Sequence, residues 1–180
     1  MSIQPISTDR LLLIPFTLRV ARSLMPGGEN PLPALGLKPT RHWPDQESMD
    51  TLPKIIKALE RVQEPTGYES WMIVLQQDKT VIGDAGFKGA PDKEGAVDIG
   101  YSIIEQEQQK GYGKEAAKAL VEWAFRQPAV RAIKASCLVE NPASARILEK
   151  LGMQELVRDE EVIYWKLERE KATLPSANSV

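Results

Sequence analysis

Apolar and polar positions along this chain repeat with two different periods, and the changeovers mark its elements. Arg10–Phe16 carries Leu11, Leu12, Leu13 and Ile14 in one run, ended by Pro15 and Thr17, which predicts a strand. Thr17 is placed to cap a short helix reaching Met25. Pro26–Pro44 then holds eight prolines and glycines, too many breakers for regular structure. A loop of that length inside a compact domain is as a rule functional or mobile. From about Asp50 to Gln63, Leu52, Ile55, Ile56, Leu59 and Val62 recur at helical spacing. Pro53 fits the first turn of that helix, where its missing N–H has no partner to lose.

Two strands follow, Ser70–Gln76 and Thr80–Lys88, and the short Gln77-Asp78-Lys79 link predicts an antiparallel hairpin. Gly83 and Gly86 in the second strand mark a bulge or a close backbone approach. Ala96–Ile104 is the next strand, with Val97, Ile99, Tyr101 and Ile103 on one face and Asp98, Gly100, Ser102 and Ile104 on the other. Beyond it, Gln108–Gly113 opens a helix running to about Arg126, apolar at Ala116, Ala117, Leu120, Val121 and Ala124. Ala132–Leu138 reads as a strand. Asn141-Pro142 starts a helix facing inward through Ala145, Leu148 and Leu151 and stopped by Gly152. Met153–Arg158 and Val162–Leu167 are a closing pair of strands.

The 180 residues, 42% hydrophobic and 27% charged, fit one folded domain over residues 1–170 with a flexible tail at 171–180. A net charge of −2, from 23 basic and 25 acidic residues, leaves no electrostatic footprint for nucleic acid. Cys137 is the only cysteine and His42 the only histidine, so neither an internal disulfide nor a Cys/His zinc site is expected, and no metal. The amino terminus lacks a secretory pattern and no apolar run is long enough to span a bilayer, so the expectation is a cytoplasmic protein with no membrane partner.

Candidate chemistry concentrates at Gln108-x-x-Gly111-x-Gly113. Glycines between a strand and a helix let successive N–H groups converge at the helix N-terminus, a cradle for a diphosphate or simply a turn. Gly113-Lys114-Glu115 lacks the hydroxyl that a P-loop uses for magnesium, and the preceding strand closes an antiparallel meander where a dinucleotide fold would begin a parallel sheet.

Taken with Asp98-Ile99-Gly100-Tyr101 before it and Asn141-Pro142-Ala143-Ser144-Ala145-Arg146 after it, the loop resembles the strand, pyrophosphate loop and second cofactor helix of GNAT N-acetyltransferases. Thr8-Asp9-Arg10-Leu11-Leu12-Leu13 is similar to the start of the branch containing ribosomal-protein-alanine N-acetyltransferases. The resemblance spans Thr8 to about Leu167. It implies an α/β (α+β) fold: a single mixed, mostly antiparallel sheet of six or seven strands flanked by helices, splayed between two central parallel strands. It implies acetyl-CoA as cosubstrate, with its pantetheine arm along Ile103 and Ile104. Its diphosphate would rest on the amides of Gln109, Lys110, Gly111, Tyr112, Gly113 and Lys114, with Gln108 also at the cofactor, Asn141 bonded to the pantetheine or a backbone group, and Ser144 near the thiol sulfur. The chain departs from the family at Ile14, where an arginine is common, and in Pro26–Pro44, where acceptor specificity is set.

The activity implied is acetyl transfer to a primary amine, of a small molecule or a protein N-terminus, by direct attack. Asp98 would be the base and Ser144 the proton donor to the departing sulfur, with a backbone N–H near Ser102–Ile104 assisting the carbonyl oxygen. Read locally, Asp98 is equally a strand-edge carboxylate paired with a lysine, and Asn141 and Ser144 are an ordinary helix start. A non-catalytic acyl-CoA sensor or interaction module is the alternative, and the sequence leaves monomer and homodimer open.

Overall fold

The computed structural model describes residues 2–172. Its strands are β1 (Ile6–Ser7), β2 (Leu11–Pro15), β3 (Ser70–Leu75), β4 (Val81–Phe87), β5 (Ala96–Ile103), β6 (Ala132–Leu138), β7 (Gln154–Arg158) and β8 (Val162–Glu168). The helices are α1 (Leu18–Ser23), α2 (Gln46–Leu59), α3 (Tyr112–Arg126) and α4 (Pro142–Lys150). The strands form one sheet in the order β1-β2-β3-β4-β5-β6-β8-β7. Eight strands exceed the six or seven expected, because β1 is a two-residue strand too short to leave a pattern.

Every neighbouring pair is antiparallel except β5 and β6, the two strands that α3 connects as a crossover. That parallel pair holds only at Ala96–Asp98 against Ala132–Lys134. Beyond it the two strands part, and the sheet opens a gap at its centre.

Alternation along β5 sorts the two faces. Tyr101 and Ile103 point toward α3, where both lie close to Gly113. Ser102 shares the other face with its cross-strand partner Asp84, which reaches Ser48 of α2. Ala116, Ala117, Leu120, Val121 and Ala124 are buried on α3 at the spacing its sequence predicts. Trp123 gathers Tyr68, Trp71 and Phe87 at centroid distances of 5.3–5.8 Å beneath it.

Both glycines of β4 are required by close backbone approach. A Cβ on Gly83 would lie 2.1 Å from the Ser102 carbonyl oxygen, and one on Gly86 would lie 2.5 Å from that of Glu69. A bulge is present as well: Ile73 pairs with Gly83 but Val74 with Val81, leaving Ile82 without a partner on β3.

Helix α2 differs from expectation. It starts at Gln46 because Asp45 caps it, accepting the Ser48 N–H at 2.9 Å, and it ends at Leu59. Pro53 therefore sits in the helix interior, not its first turn. Pro26–Pro44 is also more ordered than its composition predicts. It contains a 3-10 turn at Pro33–Leu35 and a bridge from Lys38 to Thr80, and it buries Leu32, Leu37 and Trp43 in the core. Of the expected tail, Lys171 closes a 3-10 turn that starts at Arg169, and residues 173–180 lie outside the described residues.

Candidate active site

Parting of β5 from β6 leaves one edge of β5 unpaired. On its other edge, Asp98 accepts from the Lys88 N–H and the Ile104 N–H donates to the Ile82 carbonyl. Antiparallel pairing alternates, so the N–H groups of Ile99, Tyr101 and Ile103 face the gap. Near Ser102–Ile104 the gap-facing amides are those of Ile103 and Tyr101. Ile104, expected beside the cofactor, is instead buried with its N–H committed to β4.

On the α3 side the gap opens into a cavity of about 430 Å³. Ile103, Gln108, Gln109, Gly111, Tyr112, Gly113, Lys114, Asn141 and Ser144 line it. These are the expected cofactor residues apart from Ile104 and Lys110. Gln109 and Gly111 take left-handed backbone angles, φ 61° and 84°, which turn the loop into the helix. The first α3 amide to bond backward is that of Glu115, to the Gly111 carbonyl, so the N–H groups of Tyr112, Gly113 and Lys114 have no helical partner. Unpaired amides at a helix N-terminus beside a cavity fit a diphosphate.

Other loop residues serve the loop itself. The Gln108 side chain donates to the Ile103 carbonyl at 2.8 Å. Lys110 does not line the cavity: its carbonyl accepts from Arg10 and its ammonium pairs with Glu107 at 2.8 Å. Missed from sequence were Arg146 and Lys150, one helical turn apart on α4 and both lining this cavity. Their i, i+4 spacing from the helix start was the available signal.

Asn141 is the α4 cap, accepting the Ser144 N–H at 3.1 Å, and it borders the cavity as well. The Ser144 hydroxyl lies 3.1 Å from that of Tyr101. Burial raises the Tyr101 pKa, with the Ser144 hydrogen bond opposing it, so the phenol stays protonated across the physiological range.

A second cavity, about 630 Å³, lies on the α2 side of the gap. Tyr101, Ser102 and Glu47 line both. Asp84, 8% exposed, stands in its wall, its Oδ2 accepting the Ser48 hydroxyl at 3.0 Å. Burial pushes its pKa up to about 6, against the Ser48 hydrogen bond, with further upward pressure from Asp45 and Glu47. The Trp43 indole N–H, buried without a partner at hydrogen-bonding geometry, lies close enough to lower it weakly.

Asp98 is not brought to either cavity. It occupies the last paired position of β5 and β6, with its Oδ1 3.2 Å from the Lys88 ammonium. That is an ion pair by distance, although the oxygen is buried and not aligned for a hydrogen bond. Cys137 is buried under the Trp165 indole, and His42 borders neither cavity. Among the described residues no cluster of three or more His, Cys, Asp or Glu is arranged to hold a metal, and no helix is long and apolar enough to cross a membrane.

Residues 10–154 match the acetyltransferase (GNAT) domain family. The N-acetyltransferase YjdG of Bacillus subtilis is 30% identical over 147 residues, covering 82% of this chain and 88% of that protein. Two solved structures share the fold. A ribosomal L7/L12 alpha-N-protein acetyltransferase in complex with coenzyme A matches at TM-score 0.62 and 17% identity, over 92% of this chain and 98% of that one. The spermidine N-acetyltransferase of Vibrio cholerae with CoA and spermine matches at TM-score 0.57 and 15% identity, over 67% and 76%. The chain belongs to the GNAT acetyltransferase family and is an N-acetyltransferase.

Proposed function

We propose that the enzyme transfers an acetyl group from acetyl-CoA to a primary amine across the gap between β5 and β6. One observation carries this reading: cavities on opposite faces of the sheet share Tyr101 and Ser102, so a donor in one meets an acceptor in the other at the exposed edge of β5. The α3-side cavity suits CoA, with unpaired amides at Tyr112–Lys114 and cations at Lys114, Arg146 and Lys150 for its phosphates. Bound there, acetyl-CoA supplies an activated thioester.

The chain's own groups then divide the work. Asp84, with a pKa near 6, takes the proton from the ammonium, directly or through a water, and it replaces Asp98 in this role. The free N–H of Ile103 or Tyr101 stabilises the carbonyl oxygen as it gains charge. As the C–N bond forms and the C–S bond breaks, the Ser144 hydroxyl, backed by Tyr101, gives a proton to the departing thiolate and regains one from the second proton that the nitrogen sheds on becoming an amide. Attack by the amine is direct, so no enzyme nucleophile is needed.

Melting temperature in parallel with acetyl-CoA, CoA, ATP and NAD is the test, because a ligand of the native state raises it. A rise with the two CoA species alone is expected, followed by thiol release when acetyl-CoA and an amine are supplied. Equal shifts with ATP or NAD, or no thiol release across amines of every charge type, would reject the reading.

A further inference from the structure

The α2-side cavity is charged unevenly along its length. Asp84 and Glu47 stand at the inner end, near Ser102. Further along α2 the wall carries Lys54 and Lys57, and just past the helix end Arg61. None of these three cations has a carboxylate at ion-pair distance among the described residues, although nine such pairs exist elsewhere. Glu69, the remaining acid in the wall, spends both oxygens on Thr66.

We propose that this basic wall is an anion subsite for the acceptor, and that the acceptor is an extended peptide N-terminus with an Asp or Glu at about its fourth or fifth residue. The proposal rests on the reading that the amine is acetylated at Asp84. A helix rises about 1.5 Å per residue, which sets Lys54 about 9 Å and Lys57 about 14 Å along α2 from Ser48, the residue bound to Asp84. An extended chain advances about 3.3 Å per residue, so that interval spans three to four residues. Carboxylates at the inner end draw in a cationic amine, and unneutralised cations at the outer end hold an anion. Together they admit the acceptor in one orientation. A polyamine, by contrast, would set a second cation against Lys54 and Lys57. Past Ser136 in the cavity wall, the same sheet face continues through Leu138 and Tyr164, 49% and 43% exposed, a bed for a peptide and more than a small amine needs.

The test uses peptides Ser-Ala-Gly-Glu-Glu-Gly, Ser-Ala-Gly-Gln-Gln-Gly and Ser-Ala-Gly-Lys-Lys-Gly, fluorescein-labelled at the C-terminus, with spermidine as a small-amine control. Binding to the enzyme with excess CoA is read by anisotropy, and acetyl transfer by thiol release. The acidic peptide should bind about tenfold tighter than the neutral one, the scale of two or three exposed ion pairs, and the margin should shrink as salt rises. K54E/K57E should invert the order and K54R/K57R should keep it. Both side chains are exposed, and an unchanged melting temperature would confirm an intact fold. Equal affinities, or preference for the lysine peptide or spermidine with transfer intact, would overturn the subsite and leave acetyl transfer standing. Tight, charge-dependent binding of the acidic peptide without transfer to any amine would do the reverse.

Discussion

Desolvation is what singles out Asp84 among the carboxylates near the gap. Asp98 is paired with Lys88 and half-buried, whereas Asp84 is buried on a hydroxyl and carries no cation. Asp84→Asn should lower turnover by about a hundredfold or more, the usual yield of a general base, and remove the limb of the pH–rate profile near 6. A limb that survives the substitution would place the base elsewhere. The same residue should cost stability. Its native pKa is raised, so the native state holds the proton more tightly between 3.8 and about 6, and stability falls as pH rises through that window. A shift of about two units corresponds to about 3 kcal/mol. Asp84→Asn should therefore gain melting temperature relative to the parent at pH 8 and not at pH 4. Ser144→Ala and Tyr101→Phe should each lower kcat by tenfold or more with CoA affinity retained. The double variant should be little worse than either, because the two hydroxyls act as one donor. Ser144 came into view through the family resemblance around Asn141-Pro142, and the structure sets it in the wall of the α3-side cavity. The sequence could not show Asp84, because which of several acids loses its water depends on what α2 lays over β4.

At the scale of elements, α3 and its loop were legible because periodicity and glycines agree there. The helix face at Ala116, Ala117, Leu120, Val121 and Ala124 repeats at 3.6 residues, and Gly111 takes the left-handed angle that begins it. A Cβ on Gly113 would meet Ile147, Ile103 and Tyr101 at 3.5–3.8 Å, ordinary contact, while a longer side chain would extend into the α3-side cavity. Gly113→Leu should thus stay folded and lose the melting-temperature rise that CoA gives the parent. An unchanged rise would detach the loop from cofactor binding. Helix α2 was less legible, since Asp45 caps it ahead of its apolar stripe and the stripe was all that periodicity could report. The consequence is Pro53, exposed in mid-helix and unable to bond the Met49 carbonyl. Pro53→Ala should restore that bond and stabilise the fold by about 1 kcal/mol, net of the freedom alanine returns to the unfolded chain. The result would be read as a rise in melting temperature or in denaturant midpoint.

Across the whole molecule, the amino-terminal edge of the sheet is latched to the cofactor loop from a hundred residues away. Glu115, in the first turn of α3, accepts the Thr8 hydroxyl at 2.6 Å, the Arg10 amide at 2.9 Å and the Arg10 guanidinium at 2.7 Å. Arg10 also covers the Tyr112 ring at 4.4 Å and donates to the Lys110 carbonyl. One turn between β1 and β2 therefore holds both the loop and the helix that follows it. Burial alone would raise the Glu115 pKa, but the Thr8 and Arg10 hydrogen bonds and the Arg10 charge outweigh it and hold it below 4.5. A depressed native pKa contributes stability above the ordinary carboxylate value and loses it as pH falls through the native one. Glu115→Gln should accordingly be less stable than the parent at pH 7, by about 1 kcal/mol once screening around the half-exposed Arg10 is allowed for. The difference should close once the pH falls through the native value, as the parent carboxyl itself becomes protonated. The variant should also bind CoA more weakly, because Arg10 no longer fixes the Lys110 carbonyl and the three free amides lose their common aim. Loss of stability with CoA affinity untouched would show that the latch braces the sheet edge alone.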